Sequence, residues 1–456
     1  MNSDVTGQGD PAFSHAQTGT PESVWRADPV LAEAEDLDLS RFHRLVVAAA
    51  HPDDESHMAG GLIASAAARG MTVDVVVASA GEASHPDSPT HDQECLARLR
   101  QDEVTAAVHA LAPSAHLHLL GLSDGHLSED VPLVLARLVD LIAQQGAETL
   151  LVSTLHEDRH PDHAAVAEAA AGAAWRTDAT HLEAPLWLWH WGDSNDLSAL
   201  AASKPLVRLT LSADARAAKR TAMALHTTQI SPLSPHPGDE TLLGPSILAH
   251  FERPFEILCR PTPGELSPFD DLHRGAEDPW QTQTSWYEER KRALTLAVLP
   301  QRRYASALEI GCSVGVLARD LAARSDEVIG VDESTVALEH ARRTVAGTGV
   351  ELLRCRVPEE WPQPSAGRQP DLVVVSEIGY FLSPGRMALL AERIAASGAT
   401  TVIACHWRHR IVGWPLTVVD VHAALDEALT LPRVTTVSDA DFELVVWSSA
   451  TTDEEG

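Results

Sequence analysis

Residues 46–55 read VVAAAHPDDE, an apolar run that ends in a histidine, a proline and three acidic residues. Between residues 45 and 152, four short apolar runs, of which this is the first, alternate with alanine-rich stretches of helical character. Strands that alternate with helices in this way are typical of a parallel sheet covered by crossover helices. We therefore expect a Rossmann-like, three-layer α/β/α domain whose first strand leads into the polar HPDDE turn.

The same alternation restarts near residue 284. Strands are expected at 306–310, 327–331, 371–376 and 400–405, with helices between them. The last two apolar runs, near 431–437 and 442–448, are separated by the turn-like residues 438–441, SDAD. This end of the chain predicts an antiparallel hairpin that closes a mostly parallel sheet. The fold class is thus α/β, with two Rossmann-like three-layer domains.

Composition predicts four segments along the chain. Residues 1–35 are rich in Ser, Thr, Gly, Pro and acidic residues, which is typical of a disordered acidic tail. Residues 261–283 contain four prolines among glycines and acidic residues, which indicates an interdomain linker. The two folded domains are therefore expected at 36–260 and 284–456.

Length, charge and cysteine usage limit the class of protein. The chain has 456 residues, which is too long for one ordinary hydrophobic core. Its formal net charge of -31 disfavours nucleic acid and anionic membranes as partners. The first ten residues lack the pattern of a signal peptide, and no apolar run is long enough to span a bilayer. The five scattered cysteines fit a reducing compartment, so we expect a cytoplasmic protein.

Two polar clusters follow two of the predicted strands in the first half. The first is HPDDE at 51–55, and the second is HEDRHPDH at 156–163. Because chemistry in open α/β sheets sits at the carboxyl ends of the strands, both clusters should open at the same sheet edge. Together they offer two imidazoles and a carboxylate for one metal, with a carboxylate and an imidazole to spare. Such an inventory matches a catalytic zinc site with an open position for water, a general base and a group that supports an oxyanion.

The HPDDE motif and the HPDH motif at 160–163 resemble the two signatures of the PIG-L/LmbE-like zinc deacetylases, over about residues 44–260. The resemblance implies three ligands for Zn²⁺ or another divalent metal: His51, Asp54 and His163. It also implies that Asp53 is the general base and that His160 assists charge development at the amide. Family substrates are N-acetylated amino sugars, often joined to inositol or another aglycone. The segment at 226–229, HTTQ, is similar to the family's His-x-x-Gln segment and is expected in the substrate pocket.

A second constellation lies at residues 307–315, ALEIGCSVG, between a predicted strand and a predicted helix. A glycine-rich turn in this position lets the backbone approach a ligand closely. About twenty residues later the predicted strand 328–332 ends in Asp332, which can accept hydrogen bonds from two ribose hydroxyls. Dinucleotide binding is the obvious competitor. However, the acidic-x-Gly-x-x-x-Gly spacing at 309–315 lacks the dinucleotide glycine pattern.

This pattern resembles motif I of the class I S-adenosylmethionine methyltransferases, over about residues 284–448, and that fold adds a terminal hairpin. The segments 308–315, 371–382 and 405–408 look more narrowly like nodulation-protein-S-type N-methyltransferases. The resemblance implies S-adenosylmethionine as cofactor, bound by four residues: Glu309, Gly311, Gly315 and Asp332. Ser313 replaces the middle glycine of the commonest motif. No acidic residue is evident directly after the third strand, so adenine recognition is not assigned.

The two resemblances predict a bifunctional enzyme that removes an N-acetyl group and transfers a methyl group. Deacetylation exposes an amine, which is a nucleophile, whereas resonance ties up the lone pair of an amide nitrogen. Three residues near predicted strand ends are candidates to orient that amine or accept its proton: Glu377, Tyr380 and His406. Three alternatives remain open. They are a second domain that binds S-adenosylmethionine without catalysis, O-methylation of a neighbouring hydroxyl or an unrelated small molecule, and a metal hydrolase that acts on another bond.

Overall fold

The computed structural model describes residues 17–261, 268–363 and 367–449. They form two compact units, which divide between Pro263 and Gly264. Each unit contains one mixed sheet with helices packed against it. The expected pair of α/β domains is therefore confirmed.

The first unit is organised around an eight-stranded sheet. Its strands among the described residues are β1 (Glu35–Asp36), β2 (Arg44–Ala49), β3 (Thr72–Ser79), β4 (His116–Leu122), β5 (Thr149–Thr154), β6 (Thr180–Ala184), β7 (Leu206–Thr210) and β8 (Phe255–Cys259). They pair in the order β1-β7-β8-β6-β5-β2-β3-β4. All pairs are parallel except those that β8 makes with β6 and β7. The four strands expected from the apolar runs are β2, β3, β4 and β5.

Helices cover both faces of this sheet. The described helices are α1 (Glu22–Ala27), α2 (Pro29–Ala32), α3 (Asp54–Ala68), α4 (Gln93–Leu111), α5 (Val131–Ile142), α6 (Pro161–Thr177), α7 (Leu188–Trp191), α8 (Ser194–Ser203), α9 (Ala213–Met223), α10 (Thr227–Ile230) and α11 (Pro245–Leu248). Successive residues of a strand point to opposite faces, so β2 serves two cores. Leu45, Val47 and Ala49 pack in one core, and Val46 and Ala48 pack in the other.

Residues 17–35 do not form the disordered tail that their composition predicts. Trp25 is 0% exposed, and its indole Nε1 donates a hydrogen bond to a backbone oxygen in α7 at 2.8 Å. Glu22 accepts a hydrogen bond from Arg253 Nε at 2.8 Å. Ordering this segment costs conformational entropy, which a polar segment normally cannot offset. The buried indole of Trp25 and the ion pair of Glu22 with Arg253 offset that cost here. The expectation is wrong for residues 17–35, and residues 1–16 lie outside the described residues.

The second unit is built on a seven-stranded sheet. Its strands among the described residues are β9 (Tyr304–Ile310), β10 (Ser325–Asp332), β11 (Glu351–Arg354), β12 (Leu372–Ser376), β13 (Thr401–Trp407), β14 (Arg433–Ser438) and β15 (Phe442–Ser448). They pair in the order β11-β10-β9-β12-β13-β15-β14. The first five are parallel, and β15 runs antiparallel to both β13 and β14. This arrangement confirms the expected terminal antiparallel hairpin.

Six helices accompany that sheet in the described part of the second unit. They are α12 (Pro268–Gly275), α13 (Trp286–Ala297), α14 (Val316–Leu321), α15 (Thr335–Thr344), α16 (Pro384–Ala396) and α17 (Val418–Ala428). The helix α12 lies inside the stretch 261–283 that composition predicts to be a linker. It packs on α15, and the Phe269 ring contacts the rings of Phe381 and Trp414. The linker expectation is therefore corrected for residues 268–275, while residues 262–267 lie outside the described residues.

The packing of α1 predicts a measurable contribution to stability. Replacing the buried indole in Trp25→Ala should destabilise the first unit by about 3–5 kcal/mol, because a cavity opens and a backbone oxygen loses its donor. Scanning calorimetry of the full chain should show one transition move to lower temperature. The neighbouring Val24→Ala, at a side chain that is 42% exposed, is the matched control and should shift little. Equal transitions for both variants would contradict a structural role for α1.

Candidate functional site

The two polar clusters of the first unit meet at one edge of its sheet. Strands β2 and β5 are parallel neighbours, with Ala48 opposite Ser153, so their carboxyl ends coincide. His51 follows β2, and His160 and His163 stand at the start of α6 after β5. The ring centre of His51 lies 4.9 Å from that of His160 and 5.6 Å from that of His163. The topology therefore brings both motifs into one site.

Three residues of this site present a donor set for a cation. One ligand atom from each of His51, Asp54 and His163 lies within 4.8 Å of the others. Asp54 Oδ2 is 3.5 Å from His51 Nδ1, and Asp54 Oδ1 is 3.5 Å from His163 Nε2. That buried Nε2 has no hydrogen-bond partner among the described residues. An orphaned imidazole nitrogen that faces a carboxylate fits the requirements of a divalent metal such as zinc.

Further carboxylates hold the two ligand imidazoles from behind. His163 Nδ1 lies 2.8 Å from Asp158 Oδ2, while His51 Nε2 lies 3.1 Å from Asp124 Oδ1 and 3.2 Å from Asp162 Oδ2. Metal-binding histidines commonly use their second nitrogen in this way, which fixes the ring and its tautomer. The motifs contain Asp158 and Asp162, although sequence reasoning gave them no role. Asp124 was missed because it carries no motif, and its position after β4 at the same sheet edge was the only signal.

The charges of the site compensate one another. Burial opposes ionisation of His163, but Asp54 and Asp158 outweigh it and raise its pKa to about 9. Burial likewise opposes ionisation of Asp54, yet His163 and His51 hold its pKa well below the usual range. Asp54 Oδ2 also accepts hydrogen bonds from the backbone nitrogens of Ala50 and His51, at 3.0 and 2.8 Å. The cluster is thus built to keep Asp54 ionised beside positive charge.

Asp53 lies next to this donor set but outside it. It stands at the N-cap of α3 with a φ of 130°, and its backbone nitrogen donates to Glu55 Oε2 at 3.0 Å. Its Oδ1 accepts a hydrogen bond from Arg100 Nη2 at 3.0 Å. Burial raises the pKa of Asp53 to about 6 in spite of Arg100. A carboxyl with a pKa in this range can exchange a proton near neutral pH.

His160 has the properties of a neutral hydrogen-bond donor. Burial and the neighbouring His163 lower its pKa to about 3. Its Nδ1 accepts a hydrogen bond from the backbone nitrogen of Asp162 at 3.3 Å, which leaves the proton of the neutral ring on Nε2. The ring centre lies 4.7 Å from that of His163. His160 can therefore donate a hydrogen bond next to the cation site without carrying charge.

His226, which the sequence suggests for the substrate pocket, lies instead in the protein interior. The ring is fully buried, and its Nε2 is 3.1 Å from both Glu55 Oε1 and Ser56 Oγ. Gln229 is also buried and donates to Thr228 Oγ1 at 2.9 Å. The contacts of His226 use its Nε2, whereas its buried Nδ1 has no hydrogen-bond partner among the described residues.

The second unit contains a cavity of about 680 Å³ at the carboxyl ends of its parallel strands. Gly311 lines it with a φ of 75°, and a Cβ atom there would approach Ile378 Cγ2 to 2.2 Å. Gly315 has a φ of 78° at the N-cap of α14 and does not line the cavity. Glycine is thus required at both positions, at Gly311 by space and conformation and at Gly315 by conformation.

Glu309 and Asp332 are two acidic residues that line this cavity. Asp332 Oδ2 accepts from the backbone nitrogen of Ser313 at 2.8 Å, and Oδ1 accepts from that of Ser334 at 2.9 Å. Burial raises the pKa of Asp332 to about 6 and raises that of Glu309 well above its usual range. Glu309 Oε2 has no hydrogen-bond partner among the described residues. An unpaired carboxylate oxygen at one strand end and an acidic residue at the next fit a ligand with hydroxyl and amino groups, such as a nucleoside-containing cofactor.

Glu377 and Tyr380 lie together at the cavity wall. Glu377 Oε1 accepts from Tyr287 Oη at 3.2 Å and from Lys291 Nζ at 2.9 Å. Its Oε2 accepts from Tyr380 Oη and from the backbone nitrogen of Trp407, the latter at 3.2 Å. Burial raises the pKa of Glu377 against the effect of Lys291. The carboxyl group is therefore already bonded to four donors.

His406 does not join them. It is buried outside the set of cavity-lining residues, and its Nε2 accepts from the backbone nitrogen of Gly379 at 3.1 Å. Its Nδ1 lies 3.1 Å from His422 Nε2, and burial lowers its pKa well below the usual range. Both ring nitrogens are thus used inside the protein.

Each half of the chain matches a known protein family. Residues 45–174 match the family described as PIG-L, GlcNAc-PI de-N-acetylase, and residues 270–394 match the family described as nodulation protein S, NodS. In the described part of the chain, no helix is long and apolar enough to cross a bilayer.

Individual relatives agree with this division. Nodulation protein S of Bradyrhizobium diazoefficiens is 34% identical over 110 residues, which are 23% of this chain and 50% of the relative. A Bacillus anthracis protein named "Probable N-acetyl-alpha-D-glucosaminyl L-malate deacetylase 2" is 29% identical over 126 residues, which are 27% of this chain and 55% of the relative. The chain therefore spans about half the length of these curated relatives.

Among solved structures, N-methyltransferase NodS from Bradyrhizobium japonicum WM9, in complex with S-adenosyl-L-homocysteine, is 21% identical. The match covers 39% of this chain and 96% of that protein, with a TM-score of 0.34.

The carboxylate behind His163 predicts a change in metal affinity. In Asp158→Asn an amide nitrogen faces His163 Nδ1 where a carboxylate oxygen stood, so the ring loses its orienting acceptor. We expect zinc affinity about 10–100-fold weaker, measured by competition with a chromophoric chelator. Asp193→Asn, at an exposed helix N-cap, removes an equal charge and should leave the affinity unchanged. Equal zinc affinity in Asp158→Asn and the parent protein would show that the ring does not need this acceptor.

Proposed function

Since the chain combines a PIG-L deacetylase domain with a NodS-type methyltransferase domain, we propose that it is a bifunctional enzyme. It hydrolyses the N-acetyl group of an amino-sugar-like small molecule and transfers a methyl group from S-adenosylmethionine. The deacetylase activity is proposed from one observation: His51, Asp54 and His163 form a donor set for a metal, and the carboxyl group of Asp53 lies beside that set. We assign hydrolysis to the unit that ends at Pro263 and methyl transfer to the unit that begins at Gly264.

In the first unit, His51, Asp54 and His163 would hold the metal. When bound there, zinc would polarise the amide carbonyl and lower the pKa of a water molecule towards about 7. Asp53 accepts the proton of the attacking water, because its carboxyl is next to the donor set and titrates near neutral pH. Its contact with Arg100 fixes the direction of that carboxyl. His160 donates a hydrogen bond from Nε2 to the oxygen that gains negative charge.

In the second unit, S-adenosylmethionine would supply an electrophilic methyl group. Asp332 accepts hydrogen bonds from its ribose, Glu309 and Gly311 line the pocket, and Gly315 shapes the turn around it. Support comes from Glu309 Oε2, which is buried without a hydrogen-bond partner among the described residues. Binding of this cofactor excludes neither N- nor O-methylation by itself.

The methyl acceptor is assigned to the wall formed by Glu377 and Tyr380. Because Glu377 is bonded to four donors, the neighbouring tyrosine hydroxyls are the groups that remain to contact an acceptor. Each hydroxyl donates to Glu377 and keeps lone pairs that can accept from an incoming N–H. His406 is left out of this assignment because both its ring nitrogens are bonded elsewhere.

The two reactions form a chemical sequence. Hydrolysis of the amide releases a nitrogen with a free lone pair, which is the nucleophile that methyl transfer requires. A domain of N-methyltransferase type follows a domain that exposes such a nitrogen in the same chain. The order is therefore deacetylation first and N-methylation of the same nitrogen second.

The role of Asp53 predicts loss of hydrolysis without loss of metal. Asp53→Ala removes a proton acceptor and no ligand, so the deacetylation rate should fall about 10²–10⁴-fold while zinc content stays at the parent level. Metal analysis and an acetate-release assay on the same preparation make the test. The control Asp92→Asn changes an exposed N-cap carboxylate and should leave both readouts unchanged. If Asp53→Ala loses its zinc, the roles of Asp53 and Asp54 are exchanged or shared.

The reaction order predicts selective methylation by that same variant. With methyl-labelled S-adenosylmethionine, Asp53→Ala should label the free-amine form of a sugar but not its N-acetyl form. The parent protein should label both, because it can remove the acetyl group first. Fragmentation of the product should leave the label on nitrogen. Equal labelling of both forms by Asp53→Ala would exclude the nitrogen as acceptor and refute the sequence.

A further inference from the structure

One buried imidazole in the second unit has no role in the chemistry described above. His273, on α12, lines the 680 Å³ cavity and is 3% exposed. Its Nδ1 has no hydrogen-bond partner in the part of the chain that the structure describes. An unpaired polar atom in the interior costs free energy unless a ligand or water satisfies it. Because the side chain of His273 lines the cavity, a ligand bound there is the candidate partner for this atom.

Hydrogen bonds place α12 next to the acid expected to bind ribose. Asp270, one turn before His273, accepts a hydrogen bond from Ser334 Oγ at 2.6 Å. The backbone nitrogen of Ser334 donates in turn to Asp332 Oδ1 at 2.9 Å. Two hydrogen bonds thus connect the helix to Asp332. The edge contact between the rings of His273 and Trp280, with centres 5.3 Å apart, restricts the imidazole on its other side.

The chemistry of the ring defines what it can bind. Burial lowers the pKa of His273, against a hydrogen bond to the backbone of Glu277, so the ring is neutral at physiological pH. Because Nδ1 is unpaired, the contact with Glu277 uses Nε2 and keeps the proton there. Nδ1 is then a hydrogen-bond acceptor. It suits an O–H or N–H group and rejects a carbonyl.

The second unit lacks an acidic residue directly after β11, so another hydrogen-bond acceptor for adenosine has to come from elsewhere in the cavity. Adenosine presents two ribose hydroxyls and an exocyclic amine as donors. No acidic residue directly follows β11, where the chain continues as Cys355 and then RVPE at 356–359. Cys355 lines the cavity, and a thiol is a weak acceptor. The cavity-lining residue that follows β11 therefore offers adenosine only a weak side-chain acceptor.

We propose that His273 is a cofactor-binding residue whose Nδ1 accepts a hydrogen bond from the adenosine half of S-adenosylmethionine. The donor is a ribose hydroxyl or the exocyclic amine. The proposal rests on the methyltransferase function assigned to the second unit. It makes α12, which composition assigns to a linker, part of the cofactor site.

Calorimetric titration of the full-length protein with S-adenosylhomocysteine tests the role of His273. His273→Phe keeps a ring of similar size without Nδ1, and its affinity should fall about fivefold to tenfold. His273→Asn places an amide oxygen where Nδ1 stood, and its affinity should return to within about twofold of the parent. Thermal unfolding of both variants shows whether α12 has kept its packing. Leu272→Ala, at a side chain on the same helix that is 43% exposed, should bind like the parent.

Three analogues of S-adenosylhomocysteine identify the donor. They lack the 6-amino group, the 2′-hydroxyl or the 3′-hydroxyl. The analogue without the true partner should bind the parent more weakly but lose no further affinity in His273→Phe. The other two should lose as much in that variant as S-adenosylhomocysteine does.

The possible failures are distinguishable. If the parent binds no S-adenosylhomocysteine, or Asp332→Ala binds it as tightly, the cofactor assignment of the second unit is wrong. If Asp332→Ala weakens binding but His273→Phe does not, the inference about His273 is overturned. If His273→Phe weakens all four ligands equally and His273→Asn restores none, the residue only packs α12, which also overturns it.

Discussion

The structure of the first unit depends on holding two imidazoles and a carboxylate face to face where none is open to water. Burying such groups is costly unless opposite charges and hydrogen bonds compensate them. The fold supplies this compensation with the carboxylates of four aspartates, which are Asp54, Asp124, Asp158 and Asp162. Adjacent strands β2 and β5 bring His51 and His163 together, the first turn of α3 presents Asp54, and carboxylates from β4, β5 and α6 connections hold the outer ring nitrogens. A metal bound at the centre would complete an arrangement whose geometry the protein has already fixed.

The second unit handles buried charge differently. Its cavity contains carboxyl groups that burial pushes towards the neutral form, at Glu309 and Asp332, rather than a balanced cluster. Glu309 Oε2 has no hydrogen-bond partner among the described residues, whereas Asp332 already accepts from the backbone nitrogens of Ser313 and Ser334. Glu377 is the contrast, because Lys291 and three further donors already satisfy it. The cavity wall thus contains Glu309, whose Oε2 has no hydrogen-bond partner among the described residues, and Glu377, which already accepts four hydrogen bonds.

The elements that sequence predicted well share a physical cause. Buried parallel strands such as β2, β5 and β12 are runs rich in apolar residues, and the two histidine motifs follow the ends of β2 and β5. The strands β6, β7 and β8 were not recognised because they are short and interrupted by polar residues such as Glu183 and Glu256. Composition did not predict the helices α1 and α12. In each of them one buried ring, that of Trp25 or His273, packs in the interior although most neighbouring residues in the sequence are polar. The contacts of Asp124, His226 and His406 are tertiary contacts that no local pattern encodes.

The arrangement at Glu377 bears on how an amine could be methylated. An amine attacks through its lone pair, so its N–H groups must be held while the lone pair stays free. The hydroxyls of Tyr287 and Tyr380 both donate to Glu377, which commits their protons and leaves their oxygens as acceptors. An amine that donates to these oxygens keeps its lone pair unbound and directed away from them. In the proposed reaction, Glu377, with its charge offset by Lys291, would act through the tyrosines and would not hold the amine as an ammonium ion. The wall therefore favours the neutral, nucleophilic form of the nitrogen that deacetylation would release.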